Sequence, residues 1–140
     1  MPYRLSVAAN AVSQAVARAY EKKYRLSTQE WRLLAVLAFG GELTQQELVG
    51  LTKMDKVTVS RAARSLEERR FVRRSKDEAD ARSLRLTLTA TGRKTYDAIV
   101  PAALETQREI LSVLEPGERS ALKALLERVE AAAALVRRDG

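Results

Sequence analysis

The sequence predicts a mainly α fold of the α+β class, and three features of its 140 residues lead there. Between Leu43 and Leu88, two short helical patterns meet at a tight connection. Two strand patterns then follow around a charged loop. Longer helical patterns, each with an apolar stripe, flank this stretch on both sides. A helix-turn-helix followed by a β-hairpin is a winged helix, whose second helix is shaped to enter the DNA major groove. The expected organisation is one domain over 1–140: a winged helix-turn-helix DNA-binding lobe at 27–90, with N- and C-terminal dimerisation helices at 1–26 and 91–140.

Leu5 to about Lys23 reads as a helix, with Leu5, Ala8, Ala9, Val12, Val16, Ala19 and Tyr20 repeating at three and four. Its first acidic residue is Glu21, a feature shared with targeting peptides and membrane-surface helices. The stripe is rich in Ala and poor in bulky anchors, which favours a core or partner-helix role. Ser27 and Glu30 then form a capping box, in which each side chain satisfies an orphan backbone N–H of the first turn. Leu33 to Phe39 is apolar at every position and would also suit a buried strand. The cap and the length from Thr28 to Phe39 favour a helix buried on most sides, ended by Gly40 and Gly41. Glu42 and Leu43 are a candidate short third strand.

Thr44 and Glu47 repeat the capping-box spacing and open the first helix of the central pair, with Leu48 and Leu51 on one face. Gly50 and Thr52 weaken its end. Asp55 is a good N-cap for the next helix, which carries Val59, Ala62, Ala63 and Leu66 at i, i+3, i+4 and i+7. The opposite face presents Val57, Ser60, Arg61 and Arg64, with Thr58 beside them. Arg can contact guanine through two hydrogen bonds and Val can meet a thymine methyl. Taken alone, an amphipathic helix is most often a solvated one. The short preceding helix, the tight turn and the basic hairpin together give this face a nucleic-acid reading.

Val72 to Ser75 and Arg82 to Leu88 read as wing strands, the second with Leu84, Leu86 and Leu88 directed inward. The loop between them carries Lys76, Asp77, Glu78, Asp80 and Arg82. Its paired Asp residues lack the alternating ligands, central Gly and distal Glu of a calcium loop, so no metal is expected. A helical region runs from Thr89 to about Leu114, and Pro101 predicts a bend near Ala98 to Pro101. Pro116 sits in the first turn of a last helix, where proline is tolerated. Leu122, Leu125, Leu126, Val129, Ala132, Ala133 and Val136 form its stripe.

Composition narrows the function classes. With 46% hydrophobic and 5% aromatic residues, the chain suits one compact, Ala- and Leu-rich domain. Its 25 Lys and Arg against 18 Asp and Glu give a net charge of +7, which favours polyanions: nucleic acid first, acidic membranes second. There is no Cys and no His. Disulfides, thiol sensing, His-based zinc sites and His-dependent nucleophilic triads are therefore excluded. No stretch approaches the roughly 18 apolar residues of a membrane span. No signal peptide is apparent either, so a cytoplasmic protein is expected.

Several motifs resemble one family in order and spacing. Glu30 and Trp31 with Leu34 and Leu37, LTQQEL at Leu43 to Leu48, MDKVTVSR at Met54 to Arg61, LE at Leu66 and Glu67, DEADARS at Asp77 to Ser83, and LTATG at Leu88 to Gly92 are similar to the MarR (multiple antibiotic resistance regulator) family of winged-helix transcription factors. The resemblance covers Trp31 to Gly92; the flanking helices fit by pattern. It implies that Arg82 reaches the DNA minor groove from the wing, with Asp80 helping to hold it. It also implies a twofold dimer joined through the terminal helices, and in many members a small aromatic effector bound between those helices and the DNA-binding lobe. Tyr20, Tyr24, Trp31 and Phe39 are candidates to line that pocket, though each also reads as an ordinary core or boundary aromatic. Where the family usually has a Gly that is expected to close the recognition helix in a left-handed conformation, this chain has Arg70; either Arg70 accepts that strain or the helix ends differently.

The reading that follows is a sequence-specific DNA-binding regulator, most often a repressor, and not an enzyme. It acts as a homodimer on a pseudo-palindromic site, because the three flanking stripes exceed what one core can cover. Ser60, Arg61 and Arg64, with Val57 and Thr58, are expected in the major groove. Gln45, Lys53, Lys56, Arg74 and Lys76 are expected at the phosphate backbone. The alternative is a winged helix whose basic face meets an acidic protein. No cofactor is expected.

Overall fold

In a computed structural model of the chain, the described residues are 2–76 and 84–139. They form α1 (Pro2–Ala17), α2 (Glu21–Tyr24), α3 (Thr28–Gly40), β1 (Leu43–Thr44), α4 (Gln45–Thr52), α5 (Lys56–Glu68), β2 (Val72–Lys76), β3 (Leu84–Leu88), α6 (Ala90–Leu111) and α7 (Pro116–Asp139). This is the expected mainly α, α+β architecture, a helix-turn-helix of α4 and α5 followed by a β-hairpin. The chain divides into two compact units, Met1–Thr106 and Gln107–Gly140.

In the first unit, the core gathers Leu33, Leu34 and Leu37 from α3, Leu48 from α4, and Val59, Ala62, Ala63 and Leu66 from α5. Ala17, Tyr20, Leu26, Leu43, Val72, Leu86 and Ile99 complete it. Burying each large aliphatic side chain contributes roughly 1.5–3 kcal/mol. The antiparallel sheet has the order β1-β3-β2. Val72 faces Leu88 and Arg74 faces Leu86, so the two-residue period sets Val72 and Arg74 on the same face of β2. β1 joins through Leu43 opposite Leu86. It covers Leu43–Thr44, one residue later than the Glu42 and Leu43 expected.

Local chemistry explains where the elements start and stop. Ser27 Oγ accepts from Glu30 N at 3.1 Å and Glu30 Oε1 accepts from Ser27 N at 3.0 Å, so the box at α3 is complete. At α4 only half the expected box forms. Thr44 Oγ1 accepts from Glu47 N at 3.1 Å, but the Glu47 carboxylate takes the Thr44 hydroxyl instead of its backbone N–H. Thr44 also belongs to β1 and is aligned there with Arg85.

The first helix is shorter than Leu5 to Lys23. It ends at Ala17, and i→i−3 bonds from Arg18, Ala19 and Tyr20 turn the chain before α2. This turn carries Ala17 and Tyr20 into the core, a tertiary reward that periodicity alone does not reveal. Phe39, expected on a helix buried nearly all round, is 88% exposed at the far end of α3. The long helix α6 continues through Pro101 rather than being interrupted there.

In the second unit, α7 opens with Glu115 N donating to Glu118 Oε1 at 2.8 Å and Arg119 Nε donating to the Leu114 carbonyl at 3.0 Å. Pro116 takes the first helical position. Leu122, Leu125, Leu126 and Val129 remain exposed along it. No helix among the described residues is long and apolar enough to cross a membrane.

Candidate nucleic-acid interface

The tight connection between α4 and α5 is built by two residues. The Thr52 hydroxyl donates to the Leu48 carbonyl at 2.6 Å and accepts from Met54 N at 3.3 Å. Lys53 takes a left-handed conformation at φ 61°, which reverses the chain. Asp55 then caps α5 by accepting from Thr58 N at 2.7 Å. That bond, with the Arg61 charge nearby, holds the Asp55 carboxyl below its ordinary value of 3.8.

With Val59, Ala62, Ala63 and Leu66 buried, α5 presents its opposite face outward as the 3.6-residue period requires. Lys56, Val57, Arg61 and Arg64 are exposed, and Thr58 and Ser60 are half-buried. A concavity of about 480 Å³ is lined by Gln45, Lys56, Val57, Ser60, Arg61 and Arg64. Six of the residues chosen from the sequence thus share one surface. It offers three cations, a hydroxyl, an amide and one apolar group. Arg61 also borders a second concavity of about 350 Å³, with Ser27, Gln29, Glu30, Thr58, Ala62 and Ser65.

The remaining candidates lie elsewhere. Lys53 is exposed at the turn, and Lys76 is exposed at the end of β2. Arg74 is only half-buried and its Nε stands 3.1 Å from Glu67 Oε2, near enough for charge attraction though not aligned for a hydrogen bond. Its guanidinium therefore braces the wing against α5. Arg73, next to it, is the exposed one. Asp80 and Arg82 lie outside the described residues.

Of the four aromatics, Tyr20 and Trp31 stack on each other at 5.2 Å, and Trp31 stacks on Tyr96 at 5.2 Å. Burial raises the Tyr96 phenol pKa. Tyr24 packs partly buried against the same core, whereas Phe39 stands apart. Among the described residues, no three acidic side chains converge as a metal site would require.

Similarity to known proteins decides what this surface belongs to. The MarR family pattern matches residues 26–83, which contain the helix-turn-helix and β2. Over 125 residues the chain is 33% identical to the HTH-type transcriptional regulator PecS of Dickeya dadantii, spanning 85% of this chain and 75% of that protein. The chain belongs to the MarR family. It is 30% identical to the HTH-type transcriptional repressor NicR of Pseudomonas putida over 75% of this chain and 66% of that protein. Its fold is similar to that of Bordetella bronchiseptica BpsR, with a TM-score of 0.85 and 25% identity over 93% of this chain and 92% of that one. BpsR is a protein whose DNA binding is regulated by 6-hydroxynicotinic acid. As a MarR-family protein the chain is a DNA-binding transcriptional regulator of the helix-turn-helix type, not an enzyme.

Three contacts that position this regulator's α5 escaped sequence reasoning. Ser65 Oγ donates to Glu30 Oε2 at 2.9 Å, so the carboxylate that caps α3 also holds α5. Glu67 meets Arg74, a pairing foreshadowed by the strand period, which sets Arg74 on the inner face with Val72. Arg69 reaches the backbone beyond α2, and nothing in the local sequence marks a contact 44 residues away.

Proposed function

We propose that this MarR-family regulator is a sequence-specific repressor that reads a pseudo-palindromic operator as a homodimer. The observation that carries this reading is the α5 concavity, where Lys56, Arg61 and Arg64 surround Val57 and Ser60 beside Gln45. Arg61, Arg64 and Ser60 take base edges, with Val57 and Thr58 packing in the major groove. Gln45, Lys53, Lys56 and Lys76 take phosphates, and Arg74 joins them only by leaving Glu67. Arg82, supported by Asp80, enters the minor groove from the wing.

Dimerisation falls to the flanking helices at 1–26 and 91–140. Support comes from the exposed apolar residues Leu5, Val7 and Val12 on α1 and Leu122, Leu125, Leu126 and Val129 on α7. Surfaces of that kind are covered in a stable assembly. Repression is supported by the likeness to NicR. Release by a small aromatic effector is supported by the likeness to BpsR; Tyr20 and Trp31 are stacked within the core and Tyr24 packs against it, so an effector there would have to displace them. Phe39, set apart and exposed, is the weakest member of that group.

Fluorescence anisotropy with DNA from upstream of the protein's own coding region, beside a scrambled duplex near physiological salt, tests the specific reading. A preference of roughly a thousandfold or more is expected of a specific regulator. Equal affinity for that duplex, its scramble and any sequence selected from a random pool would overturn it.

A further inference from the structure

The C-terminal end of α5 is tied to three other parts of the chain within three residues. Arg69 Nη1 donates to the Arg25 carbonyl at 2.8 Å and Nη2 donates to the Tyr24 carbonyl at 2.6 Å. Its guanidinium carbon lies 4.7 Å from the centre of the Phe71 ring. The Arg70 carbonyl accepts from the Thr89 hydroxyl at 2.6 Å, and the Phe71 carbonyl accepts from Thr89 N at 3.1 Å. So the end of the reading helix, the start of the wing, the α2–α3 junction and the start of α6 are fastened at one corner.

Within the 69–71 segment the Arg69 side chain is the one that hydrogen-bonds to the α2–α3 junction among the described residues. Both acceptors are backbone carbonyls at the end of α2, where Arg25 is held in a left-handed conformation at φ 53°. A planar guanidinium can donate to two carbonyls at once and still lie over an aromatic face; an ammonium cannot do all three. The contact is thus matched to arginine, in a stretch whose basic residues would ordinarily be assigned to phosphates.

We propose that Arg69 is a positioning residue for DNA reading, a latch that fixes the angle of α5 by holding its C-terminal end to the α2–α3 junction. The proposal rests on the DNA reading above. Without the latch, α5 samples orientations that do not fit the groove, and apparent affinity falls by the fraction of molecules that remain competent. No phosphate contact is lost, so the dependence of affinity on salt stays the same.

The test is an anisotropy titration of wild type, Arg69→Ala and Arg69→Lys over a series of salt concentrations. Folding is checked by circular dichroism, and the duplex is the one that wild type prefers. Arg69→Ala is expected to bind about tenfold more weakly with an unchanged salt slope, and Arg69→Lys to fall between the two. A role confined to stability would lower the melting temperature and leave the affinity of folded protein unchanged; that result overturns the latch. So does a salt slope reduced by about one per subunit, which would mark Arg69 as a phosphate contact. If Arg69→Ala does not fold, wild-type affinity in Arg69→Lys overturns it. Wild type without any preferred duplex overturns the DNA reading itself and the latch with it, an outcome distinct from a latch that fails alone.

Discussion

Among the described residues, three with side chains, Arg25, Lys53 and Arg70, occupy left-handed backbone, each just beyond the end of a helix. Arg70 is the one at which the family resemblance leads to an expected glycine. Arg70 N donates to the Glu67 carbonyl at 3.0 Å and Phe71 N to the Leu66 carbonyl at 2.9 Å, the paired bonds of a Schellman motif. Arginine therefore stands where glycine would sit without strain, and the surrounding bonds hold it there. Substituting Arg70→Gly relieves a cost of order 1–2 kcal/mol and returns part of it as unfolded-chain entropy. The expected net gain is about 0.5–1 kcal/mol, read as a higher urea midpoint at unchanged slope. A lower midpoint would show that the arginine side chain contributes more than its backbone costs. Asp55 makes a second residue-scale prediction. Its folded pKa is lowered by the Thr58 N–H, so its contribution is complete above the ordinary value of 3.8 and is lost as pH falls through the lower folded value. The stability gap between wild type and Asp55→Ala should be full near neutrality and close below that range. A gap that does not narrow in acid would assign it to something other than the ionised cap.

Elements are joined here by backbone approach as much as by side-chain packing. Thr89 donates its hydroxyl to the Arg70 carbonyl and accepts from Gly92 N at 3.0 Å, so one residue ties the α5–β2 corner and caps α6. Gly92 sits so close to the α5–β2 corner that an added Cβ would collide with the Phe71 carbonyl oxygen. Backbone cannot swing aside as a side chain can. Gly92→Ala should therefore cost about 2–3 kcal/mol, at the upper end of overpacking penalties. Thermal or urea unfolding checks this; a loss below 0.5 kcal/mol, on the order of a neutral surface change, would mean that α6 shifts freely. The LTATG stretch was legible as a boundary between strand and helix, but its reason was not, because the partner carbonyls lie about twenty residues upstream. Similarly, the caps at Ser27, Thr44 and Asp55 could be read from spacing because their chemistry spans three residues. The break after Ala17 could not, since its reward is a stack of Tyr20 on Trp31.

At the scale of the whole molecule, the placement of charge agrees with the function. A net charge of +7 alone would serve any polyanion, but Lys56, Arg61 and Arg64 are collected around one concavity on the outward face of α5. That face was legible from the 3.6-residue period, since knowing which residues are buried fixes which are presented. The role of Arg74 was less so. Composition counts it as a cation; the two-residue period sets it on the face of Val72, and only the structure shows that it meets Glu67 there. The proposed dimer would cover the apolar residues left exposed on α1 and α7. Twofold symmetry would then place two α5 helices about 34 Å apart, one turn of DNA. Selection of bound sequences from a random DNA pool, run side by side with wild type and Arg61→Ala, tests this most directly. Wild type should enrich a pseudo-palindrome whose half-site centres lie about ten base pairs or a multiple of that apart, and Arg61→Ala should lose the preference at one position in each half. Enrichment of no motif by wild type, or of the same motif with equal strength by Arg61→Ala, would contradict the assignment of α5 as the reading element.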